Sequence, residues 1–106
     1  MNIFVVQKAF EYKVKNFIGF GSVCAFPSNA ELLTEDLYLQ GEPYPAHKSY
    51  AYAKRMLSVQ LESYKQQYDF NSCIILPTNI IGEYDNYNLE NGHVVASLTH
   101  KFYNAY

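Results

Sequence analysis

Within SYAYAKRML, residues 49–57, a tyrosine precedes a lysine by four positions, Tyr50 and Lys54. On a helix that spacing stacks the two side chains one turn apart. An ammonium beside a phenol favours the phenolate, so such a pair can exchange a proton with a substrate oxygen near neutral pH. The same lysine can donate to sugar hydroxyls of a bound cofactor. Eleven tyrosines and seven lysines in 106 residues give about 0.7 such spacings by chance. Two are present, and the other joins Tyr44 to Lys48. Pro45 favours a helix that begins at or after itself and leaves Tyr44 outside, so only Tyr50 and Lys54 share a helix.

The elements that must hold this pair follow from hydrophobic period and breakers. Residues 2–13 read as a helix with Ile3, Val6 and Phe10 on one stripe and Val5, Ala9 and Tyr12 on another. NFIGFGS, residues 16–22, reads as a buried strand ending near Ser22. A long loop with Pro27, Gly41, Pro43 and Pro45 follows, with one helical turn expected around Glu31 to Tyr38. Residues 48–68 form the strongest helical pattern. NSCIILP, residues 71–77, is a second buried strand stopped by Pro77. An Asn-rich loop over 78–92 leads to an amphipathic helix over 93–106, with Val94, Leu98, Phe102 and Ala105 on one face.

Two buried strands joined through a helix predict a right-handed parallel βαβ unit. Two strands are few for a parallel sheet, so the expected fold class is α/β, part of a Rossmann-type doubly wound sheet. At about 100° per residue, Ala53, Leu57, Leu61, Tyr64 and Tyr68 share one side of the 48–68 helix, Tyr50 among them. Lys54 falls about 40° from its centre, and Arg55, Glu62 and Gln66 fall elsewhere. Two readings of Lys54 stay open. Either it snorkels past half-buried neighbours, or it faces the sheet to serve chemistry with Tyr50. Ser22 at the end of the first strand, and Pro77, Thr78 and Asn79 after the second, converge on the strand ends where open parallel sheets collect ligands. Taken alone, Cys24 reads as a small buried thiol and His93 as a polar cap neighbour.

Composition narrows the field. Apolar residues form 49% of the chain and charged ones 17%, a globular balance, and a formal charge of -2 gives no basic footprint for nucleic acid. No apolar run is long enough to span a bilayer, and Met1 to Phe10 has neither the charged n-region nor the cleavage site of a signal peptide. With Cys24 and Cys73 alone, neither a disulfide framework nor a metal-ligand spacing is present, and a reducing, cytoplasmic location is expected.

Three motifs in order carry a resemblance. GSVCAFP (21–27) resembles G-S-S-C-I-Y-P, SYAYAK (49–54) resembles P/A-Y-A-x-A-K, and PTNIIGEYDNYNLENGHV (77–94) resembles P-T-N-L-Y-G-P-x-D-N-F-x-x-x-N-S-H-V. Together they are similar to the extended short-chain dehydrogenase/reductases, in particular their NADP-dependent nucleotide-sugar epimerase-reductases. The resemblance implies Ser22, Tyr50 and Lys54 as the reductase triad, Cys24 as base and His93 as acid for epimerisation beside a ketone. It implies Gly21, Ser22, Tyr50, Lys54, Pro77, Thr78, Asn79 and His93 at NADP, and Lys101 at the diphosphate of a GDP-sugar. It further implies one segment, 1–106, of an NAD(P)-binding domain incomplete at both ends, without the phosphate loop or the substrate domain. A homodimer through the 48–68 helix and the N-terminal helix is expected, with Tyr52, Met56 and Val59 facing outward. Val23, Phe26 and Glu83 depart from the pattern, and the first two each remove a hydroxyl. The competing expectations are another nucleotide-sugar epimerase or dehydratase, or an inactive remnant that only self-associates.

Overall fold

The computed structural model describes residues 2–106, which form α1 (Asn2–Glu11), β1 (Phe17–Phe20), α2 (Lys48–Tyr68), β2 (Ser72–Ile75) and α3 (Val94–Ala105). The strands pair in parallel, Phe17 opposite Ser72 and Phe20 opposite Ile75, with α2 as the crossover. Gly21 N–H donates to Ile75 O at 2.8 Å and carries the ladder one residue past β1.

Sequence explains the length of α2. Pro45 opens a short 3₁₀ turn, Pro45–His47, that runs directly into the helix. Asp69 then turns into the left-handed region at φ 53° and gives its N–H to Lys65 O, so the helix stops and the chain enters β2. Leu57 and Leu61 lie buried against Val6 of α1 and Phe70, and Phe10, Phe17, Tyr64 and Ile74 close the cluster. Each such leucine contributes about 1.5–3 kcal/mol by leaving water. A second cluster, Ala25, Phe26, Tyr38 and Ala51, sits over the first turns of α2, and Ile74 packs against both.

Among the described residues the strands are covered on one face only. Gly19 lies beneath Leu57 and Leu61, whereas Ile18, Phe20 and Ile75 on the opposite face are 58%, 52% and 42% exposed. The apolar run that predicts buried strands is therefore correct in residue type, and one of its faces is bare in this chain. The expected face of α3 is also bare, with Val94, Leu98 and Phe102 exposed and Ala96 buried. Ile3 of the expected α1 stripe is exposed as well, leaving Val6 as its buried member. The radius of gyration, 17.0 Å, exceeds the roughly 13 Å of a compact domain of this length. Tyr52, Met56 and Val59 stand exposed along the outer side of α2, as expected.

The loop between β1 and α2 is ordered by one side chain. Periodicity sets Arg55 apart from the packed stripe, yet it is buried. Its Nε donates to Ala25 O at 2.7 Å, and its two terminal nitrogens donate to Gly41 O at 2.8 Å and Gln40 O at 2.6 Å. The physical reason is that the loop folds over the first half of α2 and turns a second flank, Ala51 and Arg55, into interior. Ala53, expected inside, is exposed instead. Pro27 and Pro43 bridge across the loop's base, and Ser28 N–H bonds Glu42 O at 2.9 Å.

Two substitutions test this packing. A Cβ at Gly21 would lie 2.3 Å from Leu76 Cδ2 and 2.8 Å from the Tyr38 hydroxyl. Gly21→Ala should therefore cost about 1–3 kcal/mol by overpacking, read as a lower urea midpoint. An unchanged midpoint would mean the strand end is not packed as described. Arg55→Met keeps the aliphatic stem but strands the Ala25 carbonyl, at a cost of about 1.5–3 kcal/mol. In a Cys73→Ala background it should also speed alkylation of Cys24 several-fold, because Ala25 anchors the turn that carries the thiol. Alkylation at the parent rate would show that the clamp does not hold that turn.

Candidate active site

Parallel pairing places the carboxyl ends of β1 and β2 side by side, and the candidate site is built there. Past β1 the chain reaches Gly21, which is buried, and then Ser22. Ser22 caps the 3₁₀ turn Val23–Ala25, its Oγ accepting from Cys24 N–H at 3.2 Å. Cys24 is a free, half-buried thiol within that turn. Pro77, Thr78 and Asn79 leave β2 at the same end, Pro77 half-buried and the other two exposed. An open apolar groove of about 620 Å³ runs beside them, lined by Val23, Phe26, Tyr38, Ile74, Leu76 and Thr78 among others.

The first turns of α2 bring Tyr50 and Lys54 to this edge. Lys54 Nζ donates to Phe20 O, the last carbonyl of β1, at 2.8 Å, and lies 5.6 Å from the centre of the Tyr50 ring. Of the two open readings, the structure has the lysine tied to the end of the sheet rather than extended into solvent. One hydrogen bond uses one of three ammonium donors, so two remain. Tyr50 is 51% exposed and its hydroxyl makes no hydrogen bond among the described residues. The rejected pair behaves as its proline predicts: Tyr44 precedes the helix, and Lys48 makes an ion pair with Glu42 at 3.0 Å.

Tyr38 was not singled out by the sequence beyond its helical turn, which the structure narrows to Glu35–Leu37. Its ring packs edge-on to Phe26 at 5.4 Å, and among the described residues its hydroxyl, buried beside Gly21, has no hydrogen-bond partner. Burial pushes this phenol above its ordinary range, opposed by the nearby Ser22 amide and the Arg55 guanidinium. A tyrosine inside a proline-rich loop carries no periodic signal of burial, so spacing does not find it.

His93 and Lys101 belong to a separate unit, α3 and the loop before it. His93 precedes the first turn of α3, and its Nδ1 lies 2.7 Å from Asp85 Oδ1. That contact, then the Asn86 amide, holds the Asp85 carboxyl below its ordinary range. Asp85 lies in the quoted motif but was not picked out by it. Lys101 is exposed on α3 and makes no ion pair among the described residues. The strand ends thus gather Gly21, Ser22, Cys24, Tyr50, Lys54 and Pro77–Asn79, while His93 and Lys101 are held by the second unit.

Comparison with known proteins bears on the fold and the family. The NAD dependent epimerase/dehydratase family profile matches residues 1–105. The GDP-L-fucose synthase of Dictyostelium discoideum is 38% identical over 94 residues, 88% of this chain and 29% of that protein. Among solved structures, a GDP-L-fucose synthetase from Naegleria fowleri bound to NADP superposes with a TM-score of 0.89 at 35% identity. The match covers 99% of this chain and 36% of that one. A GDP-mannoheptose C4 reductase from Campylobacter jejuni with NADP bound gives 0.88 at 30% identity, over 98% and 31%. The chain spans about a third of the length of the relatives it matches. With two parallel strands, their crossover helix and nearly every residue inside the matched profile, it belongs to the NAD dependent epimerase/dehydratase family.

Proposed function

We propose that this chain carries the acid–base side of an NADP-dependent nucleotide-sugar epimerase-reductase, acting on a GDP-linked 4-keto-6-deoxymannose as in GDP-L-fucose synthase. The observation that carries the reading is Lys54, fixed to the Phe20 carbonyl beside the Tyr50 ring, at the strand end that continues into Ser22 and Cys24.

The residues at the strand ends suit the nicotinamide ribose of NADP. Lys54 retains donors for its hydroxyls, and Gly21, Ser22, Pro77, Thr78 and Asn79 line the approach. When bound, the cofactor supplies the hydride that reaches the keto carbon. Tyr50 then gives its phenolic proton to the ketone oxygen, Ser22 hydrogen-bonds that oxygen, and Lys54 stabilises the phenolate left behind. Before reduction, the Cys24 thiolate takes a proton from carbon next to the ketone, at C3 and then C5. His93 returns a proton on the opposite face, so each centre inverts without net loss of hydrogen. Lys101 contacts the diphosphate.

No G-x-x-G-x-x-G phosphate loop occurs in these 106 residues, and a phosphate-binding part from elsewhere belongs to the same reading. So does a homodimer, because Tyr52, Met56 and Val59 of α2 and Val5 and Tyr12 near α1 are exposed.

The test replaces the matching stretch of the Dictyostelium discoideum enzyme with this chain. The chimera should turn over GDP-4-keto-6-deoxymannose with NADPH. Within it, Tyr50→Phe should lower kcat by about 100-fold or more while NADPH binding is retained. Unchanged turnover would remove Tyr50 from the proton step. In D2O, Cys24→Ser should abolish deuterium entry at C3 and C5 of the sugar, and wash-in at the parent rate would remove Cys24 from the proton abstraction.

A further inference from the structure

We propose that Asp85 is a positioning residue that fixes which nitrogen of His93 faces the reacting carbon. The inference rests on the reading of His93 as the proton donor, and it concerns a residue to which that reading gives no part.

A carboxylate only accepts hydrogen bonds, so at 2.7 Å from Asp85 Oδ1 the His93 Nδ1 must carry the hydrogen. The neutral ring is thereby held as the Nδ1–H tautomer, with the Nε2 lone pair outward. This is the reverse of the Nε2–H form that an unconstrained histidine prefers. The charged ring presents Nε2–H as its donor. In the epimerisation, Nε2 gives that proton to carbon, the pair of electrons of the N–H bond stays on nitrogen, and the ring is left neutral. The Nδ1–H bond to Asp85 persists throughout, and before the second centre solvent takes the proton from the Cys24 thiol and returns one to Nε2. Without Asp85 the exposed ring, 77% open on its side chain, would sample both tautomers and both flips.

The loop around the pair is built to bring positions 85 and 93 together. Asp85 N–H donates to Gly82 O at 3.1 Å, and the same Asp85 oxygen that meets His93 accepts from Asn86 N–H at 2.7 Å. Asn86 Oδ1 accepts from Asn88 N–H, and Asn88 Oδ1 accepts from both Glu90 and Asn91. Gly92 N–H returns to Asn88 O at 2.9 Å, and Asn86 Nδ2 reaches Asn91 O at 3.2 Å. A Cβ at Gly92 would lie 2.3 Å from Asn88 O and 2.5 Å from Asn86 O, so the closure needs glycine. The Asp85 side chain is only 10% exposed within this frame.

His47 and His100 provide internal references. The His47 ring meets the Tyr44 ring and makes no hydrogen bond among the described residues, whereas His100 Nδ1 must donate to Tyr87 O at 2.8 Å. Long-range ¹H–¹⁵N spectra of the full chain, labelled at histidine and recorded above the imidazole titration, read each tautomer directly. His93 should show the Nδ1–H form, as should His100, and His47 the ordinary form. In Asp85→Ala, His93 should lose the Nδ1–H form and match His47, while His100 keeps its tautomer and reports an intact loop. Wild-type His93 in the Nε2–H form overturns the proposal without recourse to any variant, and so does an Nδ1–H form that survives Asp85→Ala. The spectra need no substrate or cofactor. A His93→Gln chimera that still inverts C3 and C5 at the parent rate would overturn the catalytic reading while leaving the Asp85–His93 pair standing.

Discussion

Arg55 places its guanidinium among three main-chain carbonyls, and among the described residues it makes no ion pair. A buried cation so placed is stabilised by aligned dipoles, and it exacts a geometry, because each carbonyl must present its oxygen within the plane of the fork. The carbonyls belong to Ala25, Gln40 and Gly41, the two ends of the excursion between β1 and α2. Fixing both ends to one helical residue fixes Ser22 and Cys24 on one flank and the entry into α2 on the other. Lys54, the next residue back, then falls opposite Phe20 O. Tyr50 and Lys54 owe their place at the strand ends to the residue beside them as much as to their own spacing.

Ile74 carries the same coupling through the apolar interior. It packs against the cluster of Val6, Leu57, Leu61 and Phe70 and against that of Ala25, Phe26, Tyr38 and Ala51. One cluster holds α2 on the sheet, and the other seats the loop on α2. The strand pair therefore stands between a structural core and the candidate site, and a change in either is felt at the shared strand ends. The 82–93 loop follows a different principle. Its order comes from asparagine oxygens that cap successive N–H groups, and it presents His93 with little apolar support.

Much of this was legible in the residues. The bounds of α2 and the parallel strands with a helical crossover follow from period and from Pro45, while period sets Lys54 near the packed stripe and leaves its two readings to be decided by the bond to Phe20 O. Three matters were not. Arg55 is polar by type and interior by tertiary contact, because a loop without period covers it. The strands carry the apolar run of a sheet covered on both faces, and residue type does not say whether the second cover lies in the same chain. Asp85 is hidden by its own company, since an aspartate among asparagines reads as a turn former until its partner eight residues on is seen.

The register of the sheet sets an order of assembly. Phe17 pairs with Ser72 across the whole excursion and α2, so no β-ladder forms locally and its closure must follow a long search through chain space. Helix α2, 21 residues with a defined stop at Asp69, needs only near neighbours and can form first. The strand ends come together only after α2 has brought them within reach. The group at Ser22, Tyr50 and Lys54 thus depends on a pairing that joins residues far apart in the chain, and the helix alone does not assemble it.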